Sequence, residues 1–169
     1  PRLLKVARPA LRMKEGRQTN TVGTGKLGGL PDLPPDFPWP LGKECRAIYN
    51  DDTAGVERLA GFLAQINFAE VAGTLAGRDL PDRGLLSFFG FQDMEHDNPD
   101  VIGVGAFYFP DAAGLVRTDP PGELTEGNTY IPPRRLTFAE TLDLPEASSG
   151  PWSKDVRVPY GDPRRGVLD

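Results

Sequence analysis

Lys26-Leu27-Gly28-Gly29-Leu30-Pro31-Asp32-Leu33-Pro34-Pro35-Asp36-Phe37-Pro38-Trp39-Pro40 reads as a stiff arm entered through a glycine turn. The prolines at 31, 34, 35, 38 and 40 each hold φ at about −65° and lack an N–H, so the run is expected to be extended and loop-like, neither a helix nor a central strand. Gly28 and Gly29 can take positive φ without steric penalty and so turn the chain into the arm. Phe37 and Trp39, alternating with Pro38 and Pro40, offer apolar bulk that is expected to pack inward and pin the arm to a core.

Beyond the arm the chain reads as strands. After a turn at Leu41–Cys45 a short strand is expected over Arg46–Tyr49, and Asn50–Gly55 has the residues that turns demand. Leu59, Phe62, Leu63 and Ile66 are spaced for either a helix or a strand. Asn67 is a residue that can act as an N-cap, with Glu70 three residues on as its capping-box partner. Leu80-Pro81-Asp82-Arg83-Gly84 is a turn, and Leu85–Phe91 is the clearest strand in the chain. Its expected antiparallel neighbour is Val101–Phe109, across an acidic loop, with Gly103 and Gly105 marking a bulge or a close backbone approach. Leu115–Arg117 and Arg135–Leu144 are further strands, and Tyr130–Pro133 is extended. On the other side of the arm, Pro9 argues against a helix and for a strand over Ala10–Lys14.

The 169 residues suffice for one domain with a core of its own. Glycine and proline, 20 and 18 residues, are abundant but stay below the roughly 25–30% that marks low complexity. A net charge of −5 gives no footing for binding a phosphate backbone or an anionic membrane, so neither nucleic acid nor membrane is an expected partner. Cys45 is the only cysteine, which permits no internal disulfide, and no apolar run is long enough to span a bilayer. These features fit a soluble protein of a reducing compartment. The first residue is Pro1 rather than methionine, as a trimmed start would leave it.

Lys26–Pro34 with Trp39-Pro40, then Phe62-Leu63-Ala64-Gln65-Ile66-Asn67, then Leu80–Phe89 resemble, in order and spacing, the YwqG-like family, a bacterial group known as a domain of unknown function. The resemblance covers the first half to two-thirds of the chain. It implies an α+β fold, mostly antiparallel β-sheet with few short helices and long Pro/Gly-rich loops, in which Leu59–Ile66 is a buried strand. It supplies no catalytic residue and no cofactor. Association of some members with bacterial toxin neighbourhoods implies an immunity-like or regulatory role. Family members continue into a longer C-terminal segment with a histidine, where this chain has only Tyr160-Gly161-Asp162-Pro163. A single domain over 1–145 and a truncated, loop-rich tail over 146–169 are therefore expected.

Gly23-Thr24-Gly25-Lys26-Leu27-Gly28 satisfies a dinucleotide fingerprint in letters only, because the prolines that follow forbid the helix whose N-terminus would face the pyrophosphate. Asp93, Glu95, Asp97 and Asp100 open like a calcium loop but lack its turn glycine and closing glutamate. With His96 as the only histidine, no usual zinc site can be built, and any histidine-dependent catalysis would have to pass through that one loop. Gln65 and Asn67, amides at the end of a buried strand, read as structural caps or, with Trp39 and Phe37, as the lining of a binding surface. The expected function is a cytoplasmic, non-catalytic protein-binding module using Trp39, Phe37, Gln65 and Asn67, with no cofactor or metal. The alternative is a small-molecule-binding protein or a hydrolase using the acidic loop with His96.

Overall fold

The computed structural model describes residues 7–47, 57–93, 101–122 and 131–144. Within them the chain forms nine strands: β1 (Arg8–Gln18), β2 (Lys26–Leu27), β3 (Asp32–Leu33), β4 (Arg46–Ala47), β5 (Gly61–Asn67), β6 (Leu85–Asp93), β7 (Val101–Phe109), β8 (Val116–Arg117) and β9 (Arg134–Asp143). Seven make one antiparallel sheet in the order β1-β9-β2-β5-β6-β7-β4, and β3 pairs with β8 in a second, two-stranded sheet.

The β6–β7 ladder is the backbone of the fold. Its register is continuous from Leu85 opposite Phe109 to Asp93 opposite Val101, as the two apolar runs predict. Period-two alternation puts Leu85, Ser87, Phe89 and Phe91 on one face, here called the front, and all four are buried. Leu33, Cys45, Ala60, Phe109 and Leu115 complete the core on this face, with Phe37, Trp39, Phe62 and Phe107 packed against it. The arm and the β3–β8 sheet thus lie over the front. No bulge forms in β7; Gly103 instead leaves the room that the Phe91 ring occupies. One-residue bulges fall in β5, at Leu63, and in β1, between Glu15 and Gln18.

Two expectations are corrected. The α+β class gives way to an all-but-helix-free β fold: among the described residues only two three-residue 3-10 turns form, Gly42–Glu44 and Phe68–Glu70. Asn67 does cap the second, accepting from the Ala69 N–H at 2.9 Å. The turn cannot propagate, because Gly73 and Gly77 follow within two further turns and Thr74 bonds its hydroxyl to the Val71 carbonyl at 2.6 Å. Nor is the arm wholly loop. Ahead of its first proline, Lys26–Leu27 inserts as a strand between β9 and β5. Gly28 and Gly29, at φ +69° and +73°, then lift the chain out of the sheet. The end of the expected Arg46–Tyr49 strand, the Asn50–Gly55 turn, Tyr130, the Glu95–Asp100 part of the acidic loop and the 146–169 tail lie outside the described residues.

Candidate functional site

Charge is buried where the arm leaves the sheet. Strand alternation puts the Lys26 side chain on the front face beneath the arm, and Lys26 and Asp32 are both 0% exposed. A buried ion is tolerable only when paired and hydrogen-bonded. Asp32 meets that demand from four directions. Its Oδ2 accepts from Lys26 Nζ (2.9 Å), Gln65 Nε2 (2.6 Å) and the Gly23 N–H (2.9 Å), and its Oδ1 accepts from Arg117 Nε (2.6 Å). Arg117 is delivered by the β3–β8 register, which sets it opposite Asp32. Gln65 closes the arrangement, accepting the Asp32 N–H at 3.1 Å and donating to the Thr24 carbonyl at 2.8 Å. The letters of the dinucleotide fingerprint are thereby spent within the protein, since the Gly23 N–H serves a carboxylate of this chain.

Burial pushes the Lys26 pKa down from 10.5 to about 8, an effect its hydrogen bond and attraction to Asp32 only partly offset and the Arg117 charge reinforces. Burial alone would raise the Asp32 pKa, but the hydrogen bonds from Arg117, Gly23, Lys26 and Gln65 outweigh it and hold the carboxyl below its usual range. The lysine has a stability consequence with a definite sign. Between pH 8 and 10.5 the unfolded chain carries a proton at Lys26 that the folded chain has released, so unfolding takes up a proton and stability rises with pH. The rise is expected in the wild type and absent from Lys26→Met, measured as the difference between their urea midpoints across that window. Parallel pH profiles would show that Lys26 titrates alike in both states.

The residues singled out from sequence fall into two groups. Gln65 and Asn67 both grip the turn that leads into β2 and the arm: Asn67 Nδ2 donates to the Gly23 carbonyl at 2.7 Å, as Gln65 does to Thr24. Phe37 and Trp39 lie further along the front face, half-buried. Phe37 meets Phe107 and Phe109 edge-on, and Trp39 meets Phe89 edge-on while its indole N–H donates to the Ala60 carbonyl at 2.7 Å. Asp93 ends β6, and Glu95, His96, Asp97 and Asp100 lie outside the described residues. Lys26, Asp32 and Arg117 were not anticipated. Glu70, expected in a capping box, instead accepts from the Gly25 N–H at 3.3 Å and faces Arg135 at 3.6 Å.

In the ladder Lys26 stands opposite Gln65 and Arg135, with no hydroxyl beside it. Ser87, whose buried hydroxyl has no hydrogen-bond partner among the described residues, is the nearest hydroxyl nucleophile by register. It stands opposite Gln65, which stands opposite Lys26, so serine and lysine are two strands, roughly 10 Å, apart with the amide between them. Among the described residues no three His, Cys, Asp or Glu side chains converge to hold a metal, and no helix is long and apolar enough to cross a membrane.

The exposed feature is a ribbon. β9 pairs with β2 only at Arg134 and Arg135, so Thr137–Asp143 pairs among the described residues only with Arg8–Lys14 of β1. Of the residues in these two strands Leu136 alone is buried. The register sorts the ribbon's side chains by face. Arg8, Ala10, Arg12 and Lys14 share the front with Thr137, Ala139, Thr141 and Asp143, while Pro9, Leu11 and Met13 share the reverse with Phe138, Glu140 and Leu142. Met13 and Leu142 are each 57% exposed. Leu75, also exposed, is tied beside them through its N–H, which donates to Glu140 Oε1 at 2.6 Å.

No curated protein matches the chain. A family model does, over residues 25–151, which takes in the arm, Lys26, Asp32, Gln65 and Arg117 of the network, and β9, and the chain therefore belongs to the family described as a domain of unknown function, DUF1963.

Proposed function

We propose that this chain is a protein-binding module of the immunity-like or regulatory kind, and that its ribbon is the part that binds. One observation carries the reading: exposed Met13, Leu142 and Leu75 and half-buried Leu11 and Phe138 gather apolar surface on one face of a two-stranded ribbon in which Leu136 alone is buried. Contiguous exposed apolar surface marks interaction sites, and an isolated two-stranded ribbon is marginal in water until something covers it. The buried network is compatible with the reading, since its Asp32 and Gln65 bonds hold the arm to the sheet.

A YwqG-like identity within the family rests on the three matching stretches named above and is compatible with it. A bacterial cytoplasmic setting goes with that identity; Cys45, held as a buried thiol whose pKa burial raises, suits a reducing compartment. Affinity capture with the tagged wild-type chain and with M13S/L142S tests the proposal. A partner held stoichiometrically by the wild type and lost by the variant, with unchanged circular dichroism, is the expected result. Capture indifferent to the two substitutions, or none, would overturn it.

A further inference from the structure

We propose that the outer edge of β1 takes up an acidic, extended segment of a partner protein as an added strand; the inference rests on the binding-module reading and names the partner's chemistry. β1 stands at the end of the sheet order, so one side of it pairs with β9 and the other with no strand among the described residues. Such an edge offers a row of N–H and C=O groups to an incoming chain. Pro9 suits an edge, since a proline in a strand is tolerated where its missing N–H would face away from the ladder, and the outward donors over Arg8–Lys14 are then the N–H groups of Leu11 and Met13. The register is unbroken from Arg8 to Glu15 and shifts only between Glu15 and Gln18, which leaves a straight edge over Arg8–Lys14.

Charge decides the occupant. β1 carries Arg8, Arg12, Lys14 and Arg17 against Glu15 alone, in a chain of net charge −5. The cations at 8, 12 and 14 lie on the front, and Pro9, Leu11 and Met13 on the reverse. A strand added beside β1 is therefore matched when its side chains alternate, acidic toward the front and apolar toward the reverse, with opposite charges in cross-strand positions. Basic side chains on an edge also deter a second copy of the same strand, because β1 against β1 would oppose arginine and lysine with their like. A lipid surface satisfies none of the edge's backbone groups, and the acidic chain as a whole is repelled by anionic headgroups.

The test uses the full chain and a fluorescein-labelled octapeptide alternating glutamate with valine, followed by anisotropy. Saturable binding is expected, weakened about tenfold by R12E/K14E, as inversion of two cross-strand charge pairs implies, and not reproduced by the lysine–valine peptide. Two further peptides, N-methylated at alternate residues in one phase or the other, keep the measurement independent of protein folding. Only one phase should bind, because an added strand turns every second N–H toward β1. Equal binding by both phases would overturn the strand geometry. Tighter uptake on phosphatidylserine vesicles than by the peptide, or a dimer of the chain alone abolished by R12E/K14E, would replace the acidic segment with a lipid surface or a second copy. If the glutamate–valine peptide fails to bind while capture sensitive to M13S/L142S persists, this inference falls and the binding-module reading stands.

Discussion

Asp32→Asn is expected to destabilise the fold by about 3–5 kcal/mol, the usual consequence of removing one partner from a buried ion pair. The size follows from how many groups depend on this carboxylate. Its charge compensates Lys26, which is fully buried, and Arg117, whose side chain is 24% exposed, and its oxygens hold the Gly23 N–H and the Gln65 amide. An asparagine offers one acceptor oxygen, no charge, and two N–H groups aimed at existing donors. Against a total stability of about 5–15 kcal/mol for a domain, the loss is a large fraction.

Lys26→Met is expected to cost much less, no more than about 1–2 kcal/mol, because Asp32 keeps Arg117, Gln65 and Gly23 while the desolvated ammonium disappears. Urea midpoints at constant slope measure both. The asymmetry is the substance of the prediction: equal losses would make the amine, not the carboxylate, the centre of the network. A second readout comes from acid. A carboxyl whose pKa is lowered on folding contributes stability above its unfolded pKa of about 3.9 and forfeits it as pH falls through the folded value. Asp32→Asn should therefore flatten the acid limb of the stability profile, and Lys26→Met should flatten it less, since Arg117, Gly23 and Gln65 still hold the carboxyl down.

The strands around β6 and β7 were legible in the sequence because their signal is local: alternation of side chains such as Leu85, Ser87, Phe89 and Phe91 survives any tertiary context that buries one face. The Asn67 cap was legible for the same reason, since donor and acceptor are two residues apart. The network was not. Its members come from positions 26, 32, 65 and 117, brought together by strand register, and a lysine between Gly25 and Leu27 carries no mark of burial. A weak signal did exist in Asp32, a charge wedged between Pro31 and Leu33 in a mostly apolar stretch. The partnership of β1 with β9, over a separation of more than a hundred residues, left only Pro9 as a hint of an edge. The α+β expectation failed because it was taken from resemblance; the residues after Asn67 hold too many glycines to extend one turn into a helix.

Phe89→Ala is expected to lose about 3–5 kcal/mol, the range for truncating a buried aromatic, and to sit at the top of it. Phe89 is fully buried and meets three rings edge-on: Trp39 at 5.6 Å, Phe62 at 5.5 Å and Phe107 at 5.7 Å between centroids. Each such pair adds about 0.5–1.5 kcal/mol beyond its buried area, and the three rings come from the arm, β5 and β7, so a cavity here loosens every layer of the core at once. Phe37→Ala should cost less than half as much, because its ring is only half-buried and among the described rings touches Phe107 and Phe109. Urea titration followed by far-ultraviolet circular dichroism measures both, and the near-ultraviolet band of Trp39 should weaken in Phe89→Ala before unfolding begins. A larger loss from Phe37→Ala would shift the centre of the core from the sheet to the arm. Among the described residues the ribbon is tied to the rest of the fold by the pairing of Arg134 and Arg135 with β2, the Leu136 N–H to the Gly25 carbonyl, the Leu75 N–H to Glu140 and the Arg135–Glu70 ion pair, none of them at Phe89. Phe89→Ala that remains folded in the cold is thus expected to bind the acidic peptide with wild-type affinity, since stability and recognition reside in different parts of the same sheet.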